Sequence, residues 1–348
     1  MAKITRRKAL LAAAASSSMF FSPGIKNAEA TSPKKWAYPD FLMPWSPPPD
    51  LERDLTPGTT PIRLACSGYR LDVPEDGNID AVVKVVRDKG YSAAGVGGGY
   101  GSRNRWTEAS DTLVSGLKTA LKKYDVRFVD MHSICNMIHP DMAERKRMHK
   151  WLINQMETAE RVGCPVVTGH VGSRAPGAVH PHPENWTIET WKMSVREVKK
   201  VIDDTAGLKT VIAFEPNDMV QLNNPWACRR FIDDVGSERV KICLDPANMT
   251  NQAFHYRMSE YIKACYDLIG EDAAICHAKD IIQENKLHPS FVEVPVGQGV
   301  MDYETHLTGM SRLNHPRVLL VEHMKMEEYP IAKRYIEGLA KNLGIELL

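Results

Sequence analysis

Six residues that could do chemistry each stand at the end of a short apolar run: His132, His170, Glu215, Asp245, His277 and Glu322. The stretch "TVIAFEPNDMV" (210–220) shows the pattern, with a β-branched run that ends on Glu215 and is stopped by Pro216. Carboxylates and imidazoles bind divalent cations, and both carry protons. If Glu215, Asp245 and Glu322 converge, they cannot all stay ionised without a cation, because like charges raise one another's pKa. A divalent ion resolves this, and with a neutral His277 it leaves a charge of about −1. Oxygen-rich ligands with one nitrogen suit Mn²⁺, Mg²⁺ or Co²⁺, whereas zinc prefers more nitrogen or sulfur.

Convergence requires elements that bring six distant positions together. Eight apolar runs alternate with amphipathic segments: 61–69, 92–100, 126–133, 164–173, 209–216, 240–249, 273–280 and 317–324. The segments between them, such as 142–163 and 188–207, place apolar residues every three or four positions and end near glycine. Strand–helix alternation implies a parallel sheet, and eight repeats imply a closed (β/α)₈ TIM barrel over residues 59–348. In that fold the active site lies at the C-terminal mouth, where all six residues would stand.

Around the six, Asn248 follows Asp245 by three positions, and Lys279 and Asp280 follow His277. These three, with His132 and His170, are expected on the substrate side, His132 and His170 alternatively holding a second ion. Arg103, Arg105 and Trp106, after the second strand, could wall a pocket, as could Trp186, since an indole ring offers a flat apolar face with a polar edge. His180 and His182 read as members of a solvated loop.

The order Glu-Asp-His-Glu within "FEPND", "LDPANM", "HAKD" and "VEHM" resembles the xylose isomerase-like superfamily of sugar isomerases and epimerases. The stretch "VPVGQGVMDYETHL" (294–307) is similar to a loop typical of that group. The resemblance implies that Glu215, Asp245, His277 and Glu322 bind one divalent metal, and that Glu215 and Glu322 move protons on opposite faces of the substrate. The implied reaction is sugar isomerisation or epimerisation, by proton abstraction next to a carbonyl through a metal-stabilised enediolate. A lyase or hydratase acting on keto-sugars or keto-glycosides would use the same ion and acids. A non-catalytic sugar-binding protein and an abasic-site endonuclease fit less well: all four ligands are present, and the endonuclease's histidine three residues after the strand-six Asp is Asn248 here.

A formal net charge of +1 gives no pull toward nucleic acid. The seven cysteines are scattered without a CxxC and read as buried free thiols. Residues 1–30 have a basic start, a short apolar run and an Ala28-Glu29-Ala30 ending, the layout of an export signal. Arg6-Arg7 gives that segment a twin-arginine look, implying export to the periplasm after folding. The apolar run is too short for a membrane span. Residues 31–58 read as a proline-rich arm. The expected partner is an unphosphorylated carbohydrate, and a homo-oligomer stays open.

Overall fold

A computed structural model of the protein describes residues 53–67, 78–98, 109–288 and 290–348. The signal-like segment, most of the arm, Arg103, Arg105 and Trp106 lie outside the described residues. Eight parallel strands close into a barrel: β1 (Ile62–Ser67), β2 (Ala93–Gly98), β3 (Arg127–Ser133), β4 (Val166–Gly169), β5 (Val211–Phe214), β6 (Val240–Leu244), β7 (Ala273–Ala278) and β10 (Arg317–Val321). All eight expected strands are present. An antiparallel hairpin that the sequence did not suggest, β8 (Asp280–Gln283) with β9 (Phe291–Val294), stands beyond the end of β7.

The helices start and stop where local chemistry dictates. Between β3 and β4, α3 (Met142–Val162) is capped by the Asp141 carboxylate, which accepts from the N–H groups of Ala143 and Glu144. It ends at Gly163, whose φ of 85° is the left-handed conformation that glycine adopts without a Cβ penalty. Between β5 and β6, α5 (Pro225–Val235) has Asn224 as its cap and proline in its first turn, where the missing N–H costs nothing.

Two apolar layers hold the barrel. The larger lies between strands and helices, where fully buried Phe214 meets Phe231 of α5 edge to face at 5.8 Å. Such a pair adds roughly 0.5–1.5 kcal/mol beyond area burial. It also fixes the strand's facing: with Phe214 turned outward, Glu215 turns inward. The smaller layer takes one residue from each strand: Ala65, Ala93, Val129, Val166, Ala213, Cys243, Ile275 and Leu320. These pack against one another and fill the barrel interior.

The end of the arm lies along α8 (Tyr303–Ser311), where Arg53 pairs with Asp302 at 3.0 Å and the Thr60 N–H donates to the Ser311 carbonyl. All seven cysteines are buried free thiols, as the sequence implies. No helix among the described residues is long and apolar enough to cross a membrane.

Candidate active site

Side chains two residues apart on a strand face the same way. One step above the apolar layer therefore come Glu215 above Ala213, Asp245 above Cys243, His277 above Ile275 and Glu322 above Leu320. The strand ladder continues past the formal strand ends, since the Glu215 N–H donates to the Gly169 carbonyl and the Glu322 N–H to that of Ala278. Donor atoms of these four side chains all lie within 4.8 Å of one another, and all four are buried. His277 Nδ1 is 2.9 Å from Glu322 Oε1, 3.3 Å from Glu215 Oε1 and 3.6 Å from Asp245 Oδ2.

The centre of this cluster is taken by Lys279. Two residues after His277, it faces the same mouth, and its ammonium lies 2.7 Å from Glu322 Oε1, 2.9 Å from Asp245 Oδ2 and 3.1 Å from Glu215 Oε1. Asn248 completes the contact: its Oδ1 accepts from Lys279 at 3.1 Å while its Nδ2 donates to Glu215 Oε1 at 2.6 Å. Burial alone would push the Glu215 carboxyl up, but Lys279 and then His277 overcome it and hold the group well below the usual carboxylate range. Glu322 is depressed in the same way, against burial, by His277 and Lys279. Lys279 in turn is raised, against burial, by Asp245, Glu215 and Glu322.

The residues present fit a divalent cation. Three buried carboxylates and an imidazole make an oxygen-rich donor set, and the ammonium among them is a stand-in cation that shows where positive charge is held.

On the neighbouring strands His132 and His170 form a second group with Glu215, again with donor atoms within 4.8 Å. The Nδ1–H of His170 donates to the Glu215 carbonyl at 3.0 Å, and Nε2 lies 3.5 Å from Glu215 Oε2. Burial pushes His132 down to about 4, and its Nδ1 lies 3.0 Å from Thr168 Oγ1.

A sequence profile of the xylose isomerase-like TIM barrel family matches residues 83–341. The chain belongs to that family. Comparison with curated proteins finds no match. Several solved structures share the barrel. A xylose isomerase-like TIM barrel protein from Mycobacterium smegmatis, in complex with magnesium, is 14% identical, with a TM-score of 0.59 over 82% of this chain and 98% of its own. A 3-keto-D-glucoside 4-epimerase from E. coli is 15% identical, with a TM-score of 0.56 over 80% and 99%. A candidate 3-DHS dehydratase from Bacillus anthracis is 11% identical, with a TM-score of 0.60 over 79% and 99%. At these identities the likeness shows the fold.

Within this family barrel the sequence placed most of the mouth but misjudged one residue. Asp280, expected on the substrate side, points away from the mouth. Its carboxylate accepts from the backbone N–H groups of Ile281, Gly297, Gly299 and Met301, so it anchors the loop that follows the hairpin. Glycine is required there: a Cβ on Gly299 would come within 2.1 Å of Asp280 Oδ1. Trp186, in the loop after β4, is 54% exposed.

Three further residues escaped the sequence reading. Cys243 Sγ lies 3.1 Å from His277 Nε2, beneath the ring, and so orients it. Asp130 is buried below His132, where the register shifts between Ala94 and Gly95, and burial pushes its carboxyl up to about 7. His323, beside Glu322, has a φ of 57°, and its Nδ1 lies 2.8 Å from Glu293 of β9, tying the hairpin to the mouth. A short polar residue inside an apolar strand was the available signal for Cys243 and Asp130. For His323 there was none.

Proposed function

We propose that this protein is a divalent-metal-dependent sugar epimerase or isomerase that removes a proton next to a carbonyl and returns another to the same substrate. The observation that carries this reading is that Glu215 and Glu322, both held ionised, flank a single cation position at the barrel mouth. Glu215, Asp245, His277 and Glu322 would hold the ion, which supplies Lewis acidity toward a carbonyl oxygen.

The protein's own groups do the rest. Glu215 accepts the carbon-bound proton, its Oε1 fixed by Asn248. Glu322, ionised at rest, first takes a proton from solvent and then delivers it from the other side, while Glu215 releases its own proton to solvent, so the pair exchange roles in the reverse direction. His170, its ring fixed through Nδ1 by the Glu215 carbonyl, turns Nε2 toward a substrate hydroxyl, and His132 stands beside it, the two rings edge to face at 6.2 Å. We assign an unphosphorylated keto-sugar or keto-glycoside as the substrate class. The near-zero formal charge agrees with this, as does likeness to an epimerase of a 3-keto-glucoside. Mn²⁺ is the ion proposed first, with Mg²⁺ or Co²⁺ as alternatives. We further propose that the reaction runs outside the cytoplasm, a reading that the twin-arginine-like start supports.

Likeness to the dehydratase supports a lyase as the second reading, since the same proton removal followed by loss of a β-substituent needs no further residue. Incubation with keto-sugars in deuterated water separates the two. Epimerisation gives an isomer carrying deuterium at the carbon beside the carbonyl, and elimination gives an unsaturated product. Glu215→Gln should give neither while keeping the fold. Unchanged exchange in that variant would remove Glu215 from its role.

A further inference from the structure

We infer that Lys279 is a tethered cation that takes the place a metal ion would occupy, and that a divalent ion must expel it in order to bind. This rests on the metal-dependent reading above. The ammonium is within 3.1 Å of one oxygen each from Glu215, Asp245 and Glu322. Those three residues are also the carboxylate members of the metal-ligating group. An ion bonded to the same three oxygens, at the roughly 2.0–2.6 Å of hard cations on oxygen, takes the space the ammonium fills. The two cannot occupy it together.

Charge explains why either cation is accepted and why the divalent one wins. Leaving the His277 ring out of the count, three carboxylates and one ammonium sum to −2. A divalent ion in the ammonium's place gives −1. An ion at the centre, with the ammonium retained close by at the mouth, gives 0. The site lies on an apolar layer and its charged groups are nearly inaccessible to solvent, so each of these steps counts strongly. Lys279 is well placed for the exchange, because Asn248 Oδ1 already gives its ammonium a partner outside the carboxylate ring. Its backbone stays put meanwhile: the Tyr303 hydroxyl donates to the Lys279 carbonyl at 2.8 Å.

Occupancy by the ammonium lowers the fraction of chains open to metal, and the apparent affinity falls by that fraction. Removing the ammonium while keeping the side chain's length should therefore tighten metal binding. The test is the Mn²⁺ dissociation constant, by calorimetry on chelator-treated protein, for wild type and Lys279→Met, with Lys279→Gln as a second variant. Melting temperatures in chelator and in saturating Mn²⁺ are measured beside it.

Both variants should bind Mn²⁺ about tenfold tighter or more. They should also melt lower than wild type in chelator, since three carboxylates are left without a cation, and recover when Mn²⁺ is added. If a variant folds only with metal present, the constant is read instead by chelator competition from the loaded protein, with the same expectation. Equal or weaker binding in both variants, with wild type binding normally, overturns the displacement and leaves the proposed function standing. No binding by wild type or either variant overturns both.

Discussion

On four successive barrel strands the inward-facing residue changes from apolar or weakly polar to ionisable within one strand repeat: Ala213 to Glu215, Cys243 to Asp245, Ile275 to His277 and Leu320 to Glu322. The lower layer is an ordinary packed core. The upper one gathers three carboxylates, an imidazole and an ammonium, each nearly inaccessible to solvent. Each layer depends on the other. The apolar floor keeps water from sharing the charge above it, so that charge must be balanced inside the site, by Lys279 or by an ion. Conversely, the same apolar floor strengthens the interaction of these groups with any cation that enters, because electrostatic interactions weaken with surrounding water.

Substitutions on one strand separate the layers most clearly. Glu322→Gln should lower turnover by roughly 10²–10⁴-fold, the usual worth of a positioned acid or base, with the fold and melting temperature nearly kept. Leu320→Ala, two residues below and facing the same way, should do the reverse: it should cost about 2–5 kcal/mol in denaturant unfolding while the metal per folded chain is unchanged. If the two variants behaved alike, the division into floor and mouth would be wrong.

Asp130 is the exception in the floor, a buried acid among apolar and small side chains. Its carboxyl holds its proton up to about 7 in the folded chain, against an ordinary value of 3.8. The folded state therefore binds more protons than the unfolded chain between those values, and stability is lost as pH rises through that window. Asp130→Asn should then be more stable than wild type at pH 8 in chelator, by up to about 4 kcal/mol. The gain should vanish below about pH 4, as seen by thermal melts across pH.

The smallest effect is expected where the layers touch. Cys243→Ala removes the sulfur beneath His277, and loss of such an outer partner should weaken metal binding roughly tenfold, read by titration, with little change in stability.

What the sequence revealed and what it hid follow the same division. Strand ends were legible because an apolar run stopped by an acid or histidine is a local pattern, and eight such runs imply closure. Glu215, Asp245, His277 and Glu322 were found that way. Lys279 was found as a neighbour of His277, but its place among the carboxylates depends on three other strands. Asp280 was misjudged because its partners, the N–H groups of residues 297–301, are backbone and lie beyond a hairpin that no periodicity signals. Asp130 faces inward only because β3 shifts register against β2, a feature set by pairing rather than by either strand alone.

The most direct test of the cation site is the metal content of the purified protein after exhaustive dialysis, measured by elemental mass spectrometry beside Asp245→Ala. About one Mn, Mg or Co per chain in the wild type, and none in the variant, is the expected result. No ion in either, with none taken up on addition, would mean that Lys279 is the site's permanent cation and that the mouth does not work through a metal.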